Sequence, residues 1–249
     1  MAISQAQFDL AKADPKLANI VYHDWEAESY DDKWSISYDQ RCVDYARNCF
    51  DHVVPRESQG SDLAGSRVVE LGSGTGFFLL NLMQSGIGGS GIVTDLSSGM
   101  VSVAVRNGKN LGLDVTGLVA DAELLPFVDS SVDLVVGHAV LHHVPDLDAL
   151  FAEVNRVLRP GGRLMVLEFS QLPNPMMQKA YDLYSFNVIP RMGQMIANDR
   201  DSYQYLVESI RNFPDQDTFL GMVRAAGFEN AKYRNLTLGV AALHSGWKI

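Results

Sequence analysis

The amino-acid sequence predicts a doubly wound α/β fold, with a mainly parallel sheet and helices on both of its faces. From residue 66 onward, short apolar runs alternate with amphipathic stretches, which is the order of elements in βαβ units. A glycine-rich turn follows the first apolar run directly, as at the ligand-binding crevice of such sheets. The chain has 249 residues and 47% of them are apolar, which suits a single domain of this kind.

Seven strands are expected, each from a short apolar run. The first five are SRVVEL (66–71), SGIVTDL (90–96), VTGLVADA (115–122), VDLVVGHAVL (132–141) and RLMVLEFS (163–170). The C-terminal stretch 231–249 contains two more, broken at Gly239, and we expect them to form an antiparallel pair that closes the sheet.

Four amphipathic stretches predict the helices between these strands, at 75–86, 98–112, 147–158 and 215–228. The sequence RPGG (159–162) should stop the third of them, and Gly227 should end the fourth.

The remaining segments predict how the single domain, 1–249, is organised. Residues 1–66 are helical in pattern and rich in aromatic side chains, which favours a lid, with a polar linker at 55–66. Residues 67–170 form the ligand-binding core. Residues 171–214 contain methionines and aromatics but no strand pattern, so we expect a helical insert over one edge of the sheet. Residues 215–249 add the closing helix and strand pair.

Charge and composition exclude several classes of function. The formal net charge is −10 and no run of Lys or Arg occurs, so nucleic acid is not expected as a partner. No apolar run approaches the ~18 residues of a membrane span, so any membrane contact would be peripheral. Cys42 and Cys49 lie seven residues apart in a predicted helix, beyond disulfide reach, which indicates reduced thiols and a cytoplasmic location.

The glycine-rich turn is VVELGSGTG (68–76), and it differs from the dinucleotide fingerprint. Its third glycine, Gly76, arrives one residue earlier than in G-x-G-x-x-G. Asp95 ends the second strand and can accept hydrogen bonds from both ribose hydroxyls, and Asp121 ends the third and can accept from an adenine amine. The alternatives are glycines that only permit a tight turn, and aspartates that cap helices or lie in solvated loops.

Four motifs carry a resemblance to a known family. ELGSGTG, TDLSSGM, ADAELLPF and RVLRPGGRL, within residues 66–170, resemble the motifs of class I S-adenosylmethionine-dependent methyltransferases. The resemblance implies a Rossmann-like fold of seven strands with an antiparallel last strand. It also implies S-adenosyl-L-methionine as the cofactor, and no metal is expected.

The resemblance also implies a set of cofactor-binding residues. Glu70 would orient the methionine amine, the backbone of Gly72 and Gly74 would approach the methionine part, and Tyr30 would close over its carboxylate. The full set is Tyr30, Glu70, Gly72, Ser73, Gly74, Gly76, Asp95, Leu96, Met100, Asp121, Ala122 and His138.

The last third of the chain, about residues 160–249, closely resembles the ubiquinone/menaquinone C-methyltransferase (UbiE-type) family. That family methylates a ring carbon of a prenylated benzoquinol or naphthoquinol, so a hydrophobic quinol is the expected substrate. By the same resemblance, the candidate substrate-binding residues are Tyr181, Tyr184, Arg191, Asp199 and Tyr203. The apolar, methionine-rich insert would take the prenyl tail, contact a membrane surface, or form a homodimer.

Three other functions stay open at this point. The enzyme would methylate another hydrophobic or aromatic small molecule, or the chain would be an inactive partner subunit that binds the donor. A nicotinamide-dependent oxidoreductase is the third, and the early third glycine argues against it.

The sequence departs from this family after the fourth strand, where it reads AVLHHVPDLDAL (139–150). His142 and His143 stand where the family usually carries Arg and Asn. Imidazole titrates in the range useful for removing a proton from a phenol, so our hypothesis is that one of them is the catalytic base. The alternative is that they are structural and cap the following turn.

Overall fold

A seven-stranded sheet lies at the centre of the molecule. The computed structural model describes residues 14–54, 61–197 and 200–249. The strands are β1 (Arg67–Leu71), β2 (Ser90–Asp95), β3 (Val115–Val119), β4 (Val132–His138), β5 (Leu158–Phe169), β6 (Glu229–Leu236) and β7 (Ala241–Trp247). Their order across the sheet is β3-β2-β1-β4-β5-β7-β6.

Only β7 runs against the other strands. β1 pairs in parallel with β2 and β4, and the pairs β2–β3 and β4–β5 are also parallel. β7 is antiparallel to both β5 and β6. The prediction of a mainly parallel sheet with an antiparallel last strand is therefore confirmed. The strand order reverses between β1 and β4, which is where ligands bind in sheets of this type.

Ten α-helices surround the sheet in the described part of the chain. They are α1 (Pro15–Glu26), α2 (Tyr30–Trp34), α3 (Gln40–Val53), α4 (Phe77–Gln84), α5 (Ser98–Asn110), α6 (Leu147–Val157), α7 (Pro175–Asn187), α8 (Ile189–Ala197), α9 (Arg200–Asn212) and α10 (Gln216–Ala225). The side chains of Asp39, Ser97 and Asp146 accept backbone N–H groups in the first turns of α3, α5 and α6. These caps explain why the helices begin where they do.

The helices form two layers because alternate strand residues point to opposite faces of the sheet. On one face, Val68 packs in a core with Phe50 of α3 and Phe78 of α4. On the other face, Val69 shares a core with residues of α6 and α10. Helix α3 thus belongs to the core layer, although it falls within the segment expected to act as a lid.

Strand β5 begins earlier than the sequence predicts. Helix α6 ends at Val157, as the RPGG motif requires, but the strand starts at Leu158. Val132 pairs with Leu158 whereas Leu134 pairs with Arg163, so residues 159–162 form an irregularity within the strand. The predicted start at residue 163 is the point where regular pairing resumes.

The insert predicted at 171–214 is helical and comprises α7, α8 and α9. Helix α9 contacts the 3₁₀ turn Leu141–His143, which follows β4, so the insert reaches the carboxyl edge of the sheet. Helix α1 lies at the same edge, where Asp24 accepts hydrogen bonds from the Ser97 hydroxyl (2.6 Å) and the Gly99 N–H (2.8 Å). Among the described residues, no helix combines the length and apolar character that crossing a bilayer requires.

Candidate active site

A cavity lies at the carboxyl ends of β1 to β4, with α1 and the start of α2 forming its outer wall. It holds eight of the twelve predicted cofactor-binding residues together. They are Tyr30, Gly72, Gly74, Asp95, Leu96, Met100, Asp121 and Ala122. Of the predicted catalytic residues, His143 lines the same cavity.

The glycines of the turn serve different purposes. Gly72, Gly74 and Gly76 all have positive φ angles, which favour glycine. A Cβ atom on Gly72 would lie only 1.9 Å from Val140 Cγ2, so this glycine is required by packing within the chain. A Cβ atom on Gly74 would meet nothing nearer than Tyr30, at 4.0 Å. Gly74 therefore leaves the cavity wall open to a ligand.

Asp95 connects the glycine-rich turn to the second strand. Its Oδ2 atom accepts the Gly74 N–H at 2.9 Å, and its Oδ1 atom accepts the Ser97 N–H at 2.9 Å. Burial raises the pKa of Asp95, and the two N–H donors oppose that shift. Each carboxylate oxygen keeps a further lone pair, which suits it to accept from ribose hydroxyls.

Helix α1 contributes three residues to the cavity that the sequence did not indicate, Lys16, Asn19 and His23. The Lys16 ammonium lies 2.7 Å from Asp121 Oδ2 and also contacts the Glu123 carboxylate. The predicted adenine-binding carboxylate is therefore paired with a cation from the outer wall.

Glu70 lies outside the cavity lining, behind the glycine-rich turn. Its side chain is buried and accepts the Leu79 N–H at 3.2 Å. Burial raises the pKa of Glu70 to about 8, and the nearby Asp95 charge adds to the shift. A role for Glu70 in orienting the methionine amine stays a prediction.

Ser73, Gly76 and His138 also lie outside the lining. Ser73 is buried and donates its N–H to the Thr94 carbonyl, and a Cβ on Gly76 would meet Leu80 at 2.8 Å. These two residues shape the turn.

His138 packs among aromatic side chains of α3 and α4. Its ring stacks on Phe78 at 5.2 Å, and its Nε2 atom lies 3.0 Å from the Tyr45 hydroxyl. Burial lowers the pKa of His138 to about 4, so it is neutral at physiological pH.

The two adjacent histidines sit on the 3₁₀ turn after β4, with ring centroids 4.0 Å apart. His143 faces the cavity, and burial together with the nearby His142 and His23 lowers its pKa to about 2. His142 is 1% exposed, and its Nδ1 atom lies 2.9 Å from Glu168 Oε1. His143 is thus a neutral group at the cavity wall, and His142 is a buried group paired with a carboxylate.

The four predicted substrate-binding residues that the structure describes do not line this cavity. The Arg211 guanidinium lies over the Tyr181 ring at 5.4 Å, and Tyr184 and Arg191 are exposed. The Tyr203 ring packs against Trp34 at 5.2 Å, which joins α9 to α2. Asp199 lies outside the described residues.

Two contacts of the histidine pair were missed by the sequence reasoning. The Tyr205 hydroxyl lies 3.4 Å from His143 Nδ1, and the two rings are parallel at 5.7 Å. The pattern of α9 does not distinguish Tyr205 from Tyr203. Glu168 did leave a signal, because it is the one charged residue in the apolar run LMVLEF (164–169).

No group of three or more His, Cys, Asp or Glu side chains within the described ranges is arranged to hold a metal ion.

Comparison with known proteins extends the likeness over most of the chain. Residues 51–248 match the model of the ubiE/COQ5 methyltransferase family. The chain is 51% identical over 201 residues to the ubiquinone/menaquinone biosynthesis C-methyltransferase UbiE of Dinoroseobacter shibae, covering 80% of this chain and 78% of that protein. It is 44% identical over 174 residues to a mitochondrial 2-methoxy-6-polyprenyl-1,4-benzoquinol methylase of Dictyostelium discoideum, covering 68% and 55%.

A solved structure supports the fold. An S-adenosylmethionine-dependent methyltransferase from Aquifex aeolicus aligns with a TM-score of 0.54 at 18% identity, over 74% of this chain and 83% of that one. The family match spans the glycine-rich turn, the histidine pair and the helical insert. The sequence identity to the Dinoroseobacter protein is 51% over 80% of this chain. The chain therefore belongs to the ubiE/COQ5 methyltransferase family and is an S-adenosylmethionine-dependent methyltransferase.

Proposed function

We propose that this enzyme transfers a methyl group from S-adenosylmethionine to a ring carbon of a prenylated quinol. The observation that carries the proposal is the family match over residues 51–248, which extends beyond the donor site into the insert. The relatives from Dinoroseobacter and Dictyostelium carry names that specify quinone-pathway C-methylation and a polyprenyl benzoquinol. The first name admits a benzoquinol or a naphthoquinol, and the second specifies a benzoquinol.

The histidine pair supplies the acid–base chemistry in this proposal. A ring carbon becomes nucleophilic when a neighbouring hydroxyl loses its proton, and a phenol has a pKa near ~10. His143, neutral at the cavity wall, orients that hydroxyl by a hydrogen bond. His142, which is paired with Glu168, takes the proton. Alignment of the donor methyl group with the ring carbon then contributes much of the rate.

The insert offers an apolar surface for the substrate's tail and for the membrane that holds it. Exposed apolar side chains on α7 and α8 include Met176, Leu183 and Met195, which are 81%, 70% and 85% exposed. Lys179 and Arg191 lie on the same two helices, in a chain of net charge −10. We propose that this surface, the α7–α8 surface, rests on an anionic bilayer, since apolar area combined with cations favours such contacts.

The substrate assignment is tested by offering acceptors with an isotopically labelled methyl donor. Prenylated benzoquinol and naphthoquinol precursors and non-prenylated phenols are incubated separately, and products are identified by mass spectrometry. We expect a labelled methyl group on a ring carbon of at least one prenylated quinol and none with Asp95→Ala, whose donor site is damaged. Methylation restricted to non-prenylated phenols would replace the quinol with another aromatic substrate.

The membrane contact is tested by sedimentation with vesicles of neutral and anionic lipid. The variant Met176→Ser/Met195→Ser should bind anionic vesicles less, whereas Val128→Ser/Leu238→Ser, at exposed apolar positions outside the insert, should bind as the wild type does. If the wild type ignores vesicles but forms a dimer that the Met176/Met195 variant loses, the α7–α8 surface is a homodimer interface instead.

A further inference from the structure

Glu168 is a buried carboxylate at the end of β5, and three donors converge on it. Its Oε2 atom accepts the Leu141 N–H at 2.7 Å, and its Oε1 atom accepts the Phe169 N–H at 2.7 Å and lies 2.9 Å from His142 Nδ1. Its side chain is 1% exposed. A carboxylate in such a place is retained only when partners compensate for the loss of water.

These contacts keep Glu168 ionised. Burial by itself would raise the pKa of Glu168, but the interaction with His142 and the two backbone N–H groups outweigh it and lower the pKa. An ionised carboxylate only accepts hydrogen bonds, so the proton between the two side chains belongs to His142 Nδ1.

The consequence for His142 is a defined tautomer. With Nδ1 protonated, the neutral ring carries its free lone pair on Nε2. This Nε2 atom is buried and has no hydrogen-bond partner among the residues that the structure describes. His142 is not itself part of the cavity lining, but its ring centroid lies 4.0 Å from that of His143, which is part of it. A buried acceptor without a partner is costly, so Nε2 is suited to accept from a hydroxyl that enters the cavity beside His143.

Other ionisable groups surround the pair. His143 packs against His142, and His23 of α1 and Tyr205 of α9 lie next to His143. His138 of β4 and His244 of β7 also lie within the electrostatic reach of Glu168, and burial lowers the pKa of each to about 4. His138 and His244 are therefore neutral near pH 7 and add no charge beside His142. Among the groups named here, Glu168 is the anion that contacts His142.

We propose that Glu168 is a positioning residue, which holds His142 with Nε2 unprotonated and stabilises the imidazolium that forms during methyl transfer. The inference rests on the proposed function. In the step, the O–H bond of the ring hydroxyl breaks and its proton passes to His142 Nε2. The oxygen's electron pair moves into the ring, a ring carbon bonds to the donor's CH₃, and the C–S bond breaks with its pair remaining on sulfur. The hydrogen on that ring carbon then leaves as a proton to solvent water, which restores the aromatic ring, and the phenolate oxygen takes back the proton from His142 Nε2.

The first test is Glu168→Gln, compared with Glu153→Gln. Glu153 is a matched control because it also accepts a backbone N–H, from Leu125, but lies on α6 away from the cavity. We expect Glu168→Gln to lower kcat by about 100-fold, at the lower end of what a positioned general base contributes. The dissociation constant for S-adenosylhomocysteine should stay within about twofold of the wild type, and Glu153→Gln should keep its kcat.

Binding of S-adenosylhomocysteine separates positioning from structural support. A positioning residue lowers kcat and leaves unchanged the fraction of protein that binds S-adenosylhomocysteine. If Glu168→Gln instead lowers kcat only in proportion to a loss of that binding fraction, Glu168 supports the fold alone and the inference is overturned.

A double mutant and a spectroscopic measurement complete the test. In a His142→Gln background, Glu168→Gln should cause no further loss of kcat, and an additive loss would contradict action through His142.

In ¹⁵N-histidine-labelled protein, the wild-type His142 signals should report the Nδ1–H tautomer, and Glu168→Gln should change them. This readout needs no turnover, so it judges the role of Glu168 even if no quinol is methylated and the proposed function fails.

Discussion

The ammonium of Lys16 lies 2.7 Å from Asp121 Oδ2 and pairs also with Glu123, at the end of the cavity where the donor's adenine is expected. Lys16 is in the first turn of α1, and Asp24, near the end of the same helix, is fastened to Ser97 and Gly99. Helix α1 is thus held across the cavity at two points. The Lys16 contact occupies a carboxylate that the donor would use, so donor and lysine compete for it.

Replacing Lys16 by Met should therefore strengthen donor binding. The Lys16 side chain is 29% exposed, so its ion pair contributes little, roughly 1 kcal/mol or less. Removal of this competitor should lower the dissociation constant for S-adenosylhomocysteine by about two- to fivefold, measured by calorimetry. Lys109→Met, at an exposed position near the end of α5, is the control and should leave the constant unchanged. Weaker binding by Lys16→Met would mean that Lys16 holds the ligand.

Two glycines of the glycine-rich turn, Gly72 and Gly74, should differ in what their replacement by alanine affects: protein stability for Gly72 and donor binding for Gly74. Gly72→Ala places a methyl group 1.9 Å from Val140 Cγ2 at a positive φ of 50°. Overpacking and backbone strain together should lower the free energy of unfolding by about 3 kcal/mol or more. Chemical denaturation measures this loss, and Val140→Ala in the same chain should recover part of it.

Gly74→Ala is the matched substitution two residues away. Its added methyl group meets only Tyr30 at 4.0 Å, so the cost in stability should be limited to the positive φ, about 1 kcal/mol. The methyl group enters the cavity, however, and donor affinity should fall more than in any Gly72 variant that still folds. Equal losses of stability in the two variants would contradict this division of roles.

The sheet and its ligand-binding edge were predictable because they depend on local periodicity. Alternating strand and helix patterns gave the seven strands, and the position of Asp95 and Asp121 at strand ends placed both carboxylates at one edge. The start of β5 was misplaced because Gly161 and its neighbours form an irregularity that local pattern does not distinguish from a turn.

Contacts between distant segments account for what the sequence did not indicate. Lys16 reaches Asp121 across more than a hundred residues, and nothing in α1 alone points to that partner. Tyr203 was chosen on α9, but the packing of the insert places Tyr205 against His143. Such choices are made by tertiary packing, which the period of a single helix does not determine.

Glu70 predicts a specific pH dependence of stability. Burial raises its pKa in the folded protein to about 8, above the usual value of 4.5, so the folded state holds this proton more tightly than the unfolded chain. Its contribution to stability is complete below about pH 4.5 and is lost as the pH rises towards about 8. Glu70→Gln removes the titration.

The relevant quantity is therefore the unfolding free energy of the wild type minus that of Glu70→Gln. Between pH 5.5 and pH 7.5 this difference should fall by roughly 2 kcal/mol, since one pKa unit corresponds to about 1.4 kcal/mol. Denaturant titrations at the two pH values measure it, and Glu153→Gln serves as a control, because Arg156 lowers the pKa of Glu153. A constant difference would show that Glu70 is ionised when folded.

Tyr205 should matter for the acceptor and not for the donor. Its hydroxyl lies 3.4 Å from His143 Nδ1, and it also hydrogen-bonds with Asn19 of the cavity wall. Tyr205→Phe keeps the ring stacked on His143 but removes a neutral hydrogen bond, which is worth about 1 kcal/mol. The KM for the quinol should rise about fivefold, because His143 no longer presents a single tautomer to the acceptor hydroxyl. Steady-state kinetics measure this change, while binding of S-adenosylhomocysteine should stay constant.

Tyr203→Phe is the matched control on the same helix, since Tyr203 packs through its ring against Trp34. If Tyr203→Phe raises the KM and Tyr205→Phe does not, the acceptor lies on the Trp34 side of α9 and away from His143.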